Sequence, residues 1–148
     1  AKSVSYAENV VALDWAQSLG FSEALILDAS GHLSEASTSN IVLVIDEVAV
    51  TPGLTTGCLP GITRSVLLEL GLVIEAEIDV KDLEQASSAA LLSSTRGVQP
   101  IRSVAVGGTE WIFDVSCDGL QFIGDSYLAR VRLEKESWAR LPKESRPT

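Results

Sequence analysis

The spacing of apolar residues changes several times along the chain, and each change marks an element. Over residues 8–18, Val10, Val11, Leu13, Trp15 and Ala16 recur at helical spacing and Gly20 supplies a stop, which predicts a first helix. ALILD then reads as a short buried strand, Ala29-Ser30-Gly31 as a turn and NIVLVID as a strongly apolar strand. A further strand at VAV ends in Thr51-Pro52-Gly53. A loop rich in Thr and Gly runs from there to Pro60-Gly61, and ITRSVLLEL returns to helical spacing. Downstream, VIEAEID predicts a strand, KDLEQAS a short helix, AALLSST a strand with a polar tip, and PIRSVAV and TEWIFDV further strands. The tail SYLARVRLEKESWARL predicts a closing amphipathic helix with Leu128, Val131, Trp138 and Leu141 near one side, and PKESRPT is expected to be disordered.

With 148 residues, 46% of them hydrophobic and 21% charged, the chain fits one globular domain that buries its own core. Mixed strands and helices without an internal repeat predict an α/β or α+β architecture. No apolar run reaches membrane-spanning length and AKSVSYAENV lacks the layout of a signal peptide, so the expected setting is cytoplasmic, with no membrane partner. A formal charge of −9 argues against nucleic acid as a partner, and any bound phosphate must therefore be held by local geometry. Cys58 and Cys117 form no metal-ligand pattern and read as buried free thiols. Lacking any methionine, the chain is expected to be a fragment or a processed product.

Some residues could carry chemistry. Lys2 and Tyr6 share a face whether their segment is extended or helical, and a lysine beside a phenol could form a Schiff base with an aldehyde cofactor. Taken alone, a lysine so placed is ordinarily solvated. Glu35 leads into Ala36, Ser37, Thr38, Ser39 and Asn40; a carboxylate there could pair with a protonated pyridine nitrogen or simply serve a surface turn. In LPGITR, Gly61 permits close backbone approach and the N–H groups of Ile62 and Thr63 open a helix whose dipole favours an anion, with the Thr63 hydroxyl as a further donor. The same segment can be an ordinary cap. Ser93, Ser94 and Thr95 put hydroxyls at a strand end. His32 stands in a turn with no evident partner, and Asp28 and Asp118 read as turn residues.

In this order, AKSVSYAENVVAL, DASGHLSEASTSNIVLV, TPGLTTGCLPGITR and LLSSTRGVQPI resemble the C-terminal domain of fold-type IV pyridoxal-phosphate enzymes. That family includes branched-chain and D-amino-acid aminotransferases and aminodeoxychorismate lyase. EASTSN, LPGITR and SSTRGVQPI are the most specific segments, and the resemblance extends to about Val106. It implies a large C-terminal domain over residues 1–148, with a mixed sheet or pseudobarrel flanked by helices, and without the family's smaller N-terminal domain.

The resemblance also implies pyridoxal 5'-phosphate as cofactor, Lys2 as its covalent anchor and general acid/base, and Glu35 as the acid on the pyridine nitrogen. Ile62, Thr63 and Thr95 then hold the phosphate, Tyr6 touches the cofactor or Glu35, Asn40 supports the site, and the Arg96 amide faces the substrate carboxylate. The implied activity is amino transfer between an amino acid and a 2-oxo acid in a homodimer. Aminodeoxychorismate lyase, giving 4-aminobenzoate and pyruvate, is an alternative, as is an inactive domain that awaits a missing N-terminal domain or companion chain. Two departures stand out: the helix after GITR is short by about one turn, and Ser87-Ser88 replaces a frequent acidic pair.

Overall fold

A computed structural model describes residues 2–142 and 144, with residues 2–5 described by their backbone alone. The predicted disorder of PKESRPT falls mostly on residues outside this set. Helix α1, Lys2–Ser18, begins before the predicted residue 8 and ends as Gly20 predicts. Gly20 has φ 89°, its N–H donates to the Gln17 carbonyl and that of Phe21 to the Ala16 carbonyl, which closes the last turn of the helix.

Strands β1 (Leu25–Leu27) and β2 (Leu33–Ala36) form an antiparallel pair, and a short turn leads from β2 into β3 (Asn40–Ile45). Between β3 and β4 (Val48–Pro52), Asp46 and Glu47 take φ 49° and 64°, the mirror-image turn that suits the twist of a two-residue hairpin. Helix α2 (Ile62–Glu69) crosses over from β4 to β5 (Ile74–Ala76), which pairs with β4 in parallel. Strands β6 (Ala86–Ser93) and β7 (Gly97–Pro100) complete a five-stranded sheet of order β5-β4-β3-β6-β7. A separate hairpin, β8 (Ser103–Val106) and β9 (Thr109–Ile112), precedes the long helix α3 (Asp118–Ala139).

Alternation along the central strands sorts the core into two clusters. Val42 and Val44 of β3, with Ala90 and Leu92 of β6, pack against Leu67 of α2 and Leu120, Ile123 and Tyr127 of α3. Ile41 and Leu43 face the other way, towards Leu33, Ile78, Leu83, Val104 and Phe113. The two faces follow from the period of two in a strand buried on both sides. No helix among the described residues is long and apolar enough to cross a membrane.

The structure corrects the reading of the tail. α3 starts at Asp118, so this aspartate opens a helix and does not serve a turn. Its buried stripe is Leu120, Ile123 and Tyr127, continued by half-buried Val131, whereas Leu128, Trp138 and Leu141 are exposed. The extra turns at the N-terminal end place the stripe ahead of the residues used to predict it. The segment KDLEQAS also divides: Val80–Glu84 is a 3-10 turn and Ala86 already belongs to β6. PIRSVAV divides too, with Pro100 closing β7 and β8 starting at Ser103.

Candidate functional site

The residues singled out in EASTSN and LPGITR come together at one corner of the sheet. Glu35 lies on β2, only 8% exposed, and its carboxylate accepts the Leu59 backbone N–H at Oε2 over 2.9 Å. Asn40 opens β3, and its Nδ2 donates to the Leu59 carbonyl over 2.8 Å. Leu59, in the loop before α2, is thus gripped on its N–H by Glu35 and on its C=O by Asn40. Hydrogen bonds from charged or buried partners of this kind fix backbone geometry as well as contribute energy.

Leu59 in turn sets the start of α2, because its carbonyl also accepts the N–H of Gly61, the N-cap of that helix. Gly61 has ordinary extended dihedrals, so its lack of a side chain is not a matter of backbone strain. A Cβ there would run into Asn40 Oδ1, which explains why the position suits glycine. The N–H groups of Ile62 and Thr63 follow, in the first turn where a helix offers donors without internal acceptors. Thr63 is 1% exposed, and its hydroxyl is buried with no hydrogen-bond partner among the described residues. An unpaired buried hydroxyl costs free energy, so its place at the helix start marks a spot where an anionic ligand atom fits. Arg64, next along, is buried and turned away: its Nη2 donates to the Pro52 carbonyl over 3.0 Å and to Glu75 Oε1 over 2.5 Å.

Thr95 and Arg96 lie on the turn between β6 and β7. Asn40 pairs with Leu92 in the sheet, so this turn leaves the same end of the sheet as Asn40. Both residues are exposed; Thr95 Oγ1 lies 3.4 Å from Ser93 Oγ, and the Arg96 N–H donates to Ser93 Oγ over 3.1 Å. The Arg96 amide is therefore occupied by a neighbouring hydroxyl and does not stand open.

Lys2 is the first residue of α1, and its side chain lies outside the described residues. Tyr6, four positions on, is 72% exposed, and among the described side chains of α1 Asn9 reaches Glu35, with its Nδ2 3.4 Å from Oε1. Asn9 and Leu59 are site residues that sequence reasoning missed. Neither carries a local signal, since each meets Glu35 across more than twenty residues of chain.

His32, read as having no partner, has three. Its Nδ1 lies 3.2 Å from Asp28 Oδ2, and its Nε2 lies 3.3 Å from Glu77 and 3.5 Å from Asp79. Partial desolvation lowers its pKa, but the Asp28 hydrogen bond and the charges of Glu77, Asp28 and Asp79 outweigh that and leave it raised. Asp28 itself is lowered, chiefly by accepting the His32 backbone N–H, and it also caps the turn through the Ser30 N–H. The cysteines are both free, with Cys58 buried and Cys117 half-buried. No group of His, Cys, Asp or Glu among the described residues could hold a metal ion.

Residues 1–104 match the family model described as amino-transferase class IV. A branched-chain-amino-acid aminotransferase of Pseudomonas aeruginosa is 35% identical over 105 residues, covering 68% of this chain and 34% of that protein. A putative 4-amino-4-deoxychorismate lyase of Legionella pneumophila superposes with a TM-score of 0.74 at 26% identity, covering 86% of this chain and 47% of the other. A branched-chain amino acid aminotransferase of Thermobaculum terrenum, solved in its PLP-form, gives a TM-score of 0.74 at 25% identity over 85% of this chain and 42% of its own. The chain thus spans between about a third and a half of the length of these proteins.

Proposed function

The chain belongs to the amino-transferase class IV family, and from that premise we propose that it is the lysine-bearing part of a pyridoxal-phosphate enzyme moving an amino group between an amino acid and a 2-oxo acid. The observation that carries this reading is the start of α2, where the buried Thr63 hydroxyl has no partner among the described residues and lies in the same first turn as the Ile62 and Thr63 amides. That donor set suits a phosphate and needs no excess of positive charge.

In this reading the amides of Ile62 and Thr63, with the Thr63 hydroxyl, hold the phosphate, and Thr95 adds a hydroxyl from the β6–β7 turn. Glu35 faces the pyridine nitrogen and keeps a proton on it. Pyridoxal phosphate, when bound, supplies an aldehyde to take the amino group and a ring that withdraws electrons from the substrate α-carbon. Lys2 anchors the cofactor and then carries a proton to and from the α-carbon at Nζ. Asn40 acts through Leu59 to fix the helix start, Tyr6 touches the cofactor or Glu35, and the Arg96 amide faces the substrate carboxylate once it leaves Ser93 Oγ. Because the chain covers only part of its relatives' length, we assign the remaining substrate contacts to a further domain or companion chain, in a homodimer.

The test is chemical. The chain is mixed with pyridoxal phosphate, reduced with borohydride, digested and searched by mass spectrometry. A pyridoxyl group on Lys2 is the expected result, and a Lys2→Ala variant should lose it completely while melting at the same temperature. Labelling spread over Lys81 and Lys135 as well as Lys2, or no labelling at all, would overturn the assignment. The structural likeness to a putative 4-amino-4-deoxychorismate lyase supports a second reading, elimination of pyruvate to leave 4-aminobenzoate. Product release separates the two: transfer requires a 2-oxo acid acceptor, and the lyase frees pyruvate without one.

A further inference from the structure

The turn between β2 and β3 carries Ser37 and Thr38, and both are held by a residue from outside the hairpin. The carboxylate of Glu23, in the loop between α1 and β1, accepts the hydroxyls of Ser37 and Thr38 and also the Thr38 backbone N–H at 3.1 Å. Ser37 is further tied to the chain beside Glu23, since its N–H donates to the Ala24 carbonyl over 2.9 Å and its Oγ accepts the Ala24 N–H over 3.2 Å. Within the turn, the Ala36 N–H donates to the Ser39 carbonyl over 2.8 Å. The segment pinned by Glu23 is thus the short link between Glu35 and Asn40, the two residues that grip the Leu59 peptide.

We infer that Glu23 is a positioning residue for the cofactor's phosphate and ring: it fixes the 37–38 turn, the turn fixes Glu35 and Asn40, and these fix Leu59 and the start of α2. The inference rests on the cofactor reading above. The links are hydrogen bonds between neighbours or the few residues of chain between Glu35 and Asn40, so a shift at the turn has a short route to Gly61 and Thr63. A carboxylate suits the task because it offers several lone pairs, enough for two hydroxyls and an amide at once. Glutamine offers one carbonyl oxygen and cannot accept all three bonds on equal terms, and alanine accepts none.

The experiment compares the wild-type chain with Glu23→Ala and Glu23→Gln by two measurements. Amide hydrogen exchange of the unliganded chain reads whether the relay exists. Loss of hydrogen bonds to a charged acceptor should speed exchange over residues 57–63 about tenfold in Glu23→Ala, with residues 41–44 and 89–92 unchanged and Glu23→Gln in between. Titration with pyridoxal phosphate, followed by visible absorbance, should show affinity weakened about tenfold in Glu23→Ala and less in Glu23→Gln. Unchanged exchange over residues 57–63 overturns the inference, and so does acceleration spread evenly over the sheet, which would make Glu23 a general stabiliser. Unchanged cofactor affinity beside altered exchange also overturns it. A wild-type chain that binds no pyridoxal phosphate sinks the cofactor reading itself, and the exchange data then show separately whether Glu23 governs Leu59.

Discussion

The proposed site is carried by two regions that are held in different ways. At the corner formed by the β2–β3 turn and the start of α2, buried Glu35 and Asn40 both grip Leu59, whose carbonyl also accepts the Gly61 N–H two residues ahead of buried Thr63. Helix α1, which brings Lys2, has little beneath it: Ala16 is buried at 3%, but Val11 and Trp15 are 70% and 64% exposed. Among its described side chains, the bond to the corner is the long contact from Asn9 to Glu35. The corner is therefore held by bonds within the domain, whereas the described side chains of the lysine's helix make few contacts with it. Geometry fixed before binding lowers the cost of binding, and here it is fixed at the phosphate end.

The largest test of that contrast is Gly61→Ala. With φ −60° the new residue has no backbone strain, so any damage comes from its Cβ meeting Asn40 Oδ1. Asn40 must swing away and release the Leu59 carbonyl, and overpacking of this kind costs about 1–3 kcal/mol. Thermal or urea unfolding reads it. If the clash is with Asn40, the loss in Gly61→Ala combined with Asn40→Ala falls short of the sum of the two single losses. Additive losses would mean that Gly61 and Asn40 do not form one unit and that the corner is looser than described.

Thr63→Val sharpens the same comparison with a smaller effect. The variant keeps the shape and removes the hydroxyl that has no partner among the described residues. Without ligand, stability should hold or rise by up to about 1 kcal/mol, because a buried unpaired polar atom is a cost. With pyridoxal phosphate, affinity should fall about tenfold for one lost hydrogen bond to a charged group. Destabilisation in the unliganded chain would show that the hydroxyl already serves the fold.

A pH dependence follows from the clip at His32, which ties the β1–β2 turn to residues 77–79 through Glu77 and Asp79. His32 is raised in the folded chain, so the stabilisation it adds is full below the ordinary histidine value of about 6.5 and is lost as pH rises through the higher folded value. Asp28 is lowered, so its share is present above the ordinary value of about 3.9 and fades as pH falls through the lower folded one. The melting temperature of wild type minus that of His32→Gln should accordingly be greatest at about pH 5–6 and shrink by about pH 8–9. A difference that grows with pH would contradict the sign.

Much of this was legible in the chain. The β3 and β4 strands and α2 announce themselves because apolar runs and helical spacing there coincide with Gly and Pro punctuation, and Gly61-Ile62-Thr63 marks a helix start on its own. Glu35 carried weight only with the neighbouring segments in order, since an isolated carboxylate in a turn has no signature. Asn9, Leu59 and Glu23 were invisible because their contacts join segments distant in sequence, and one of them works through its backbone. The start of α3 was hidden because Asp118 read as a turn residue. At Gly124 a Cβ would lie 3.6 Å from that of Val98, an ordinary van der Waals contact, so α3 packs on β7 there without requiring a glycine.

The smallest expected effect bears most directly on α1. If the helix is as lightly held as its exposure indicates, Trp15→Ala removes a large side chain that covers little of the core, and the change in stability should stay within about 0.5 kcal/mol. Leu43→Ala, in the fully buried centre of β3, provides the contrast at about 2–5 kcal/mol. Both are read by the same unfolding experiment on the same chain, which removes differences in conditions. A Trp15 loss comparable to that of Leu43 would mean that α1 is packed against the domain in solution, and the idea of a preorganised corner beside a loosely seated lysine helix would fail. A Trp15 loss near zero, with Lys2 still labelled by pyridoxal phosphate, would mean instead that the lysine needs no rigidly packed helix to react.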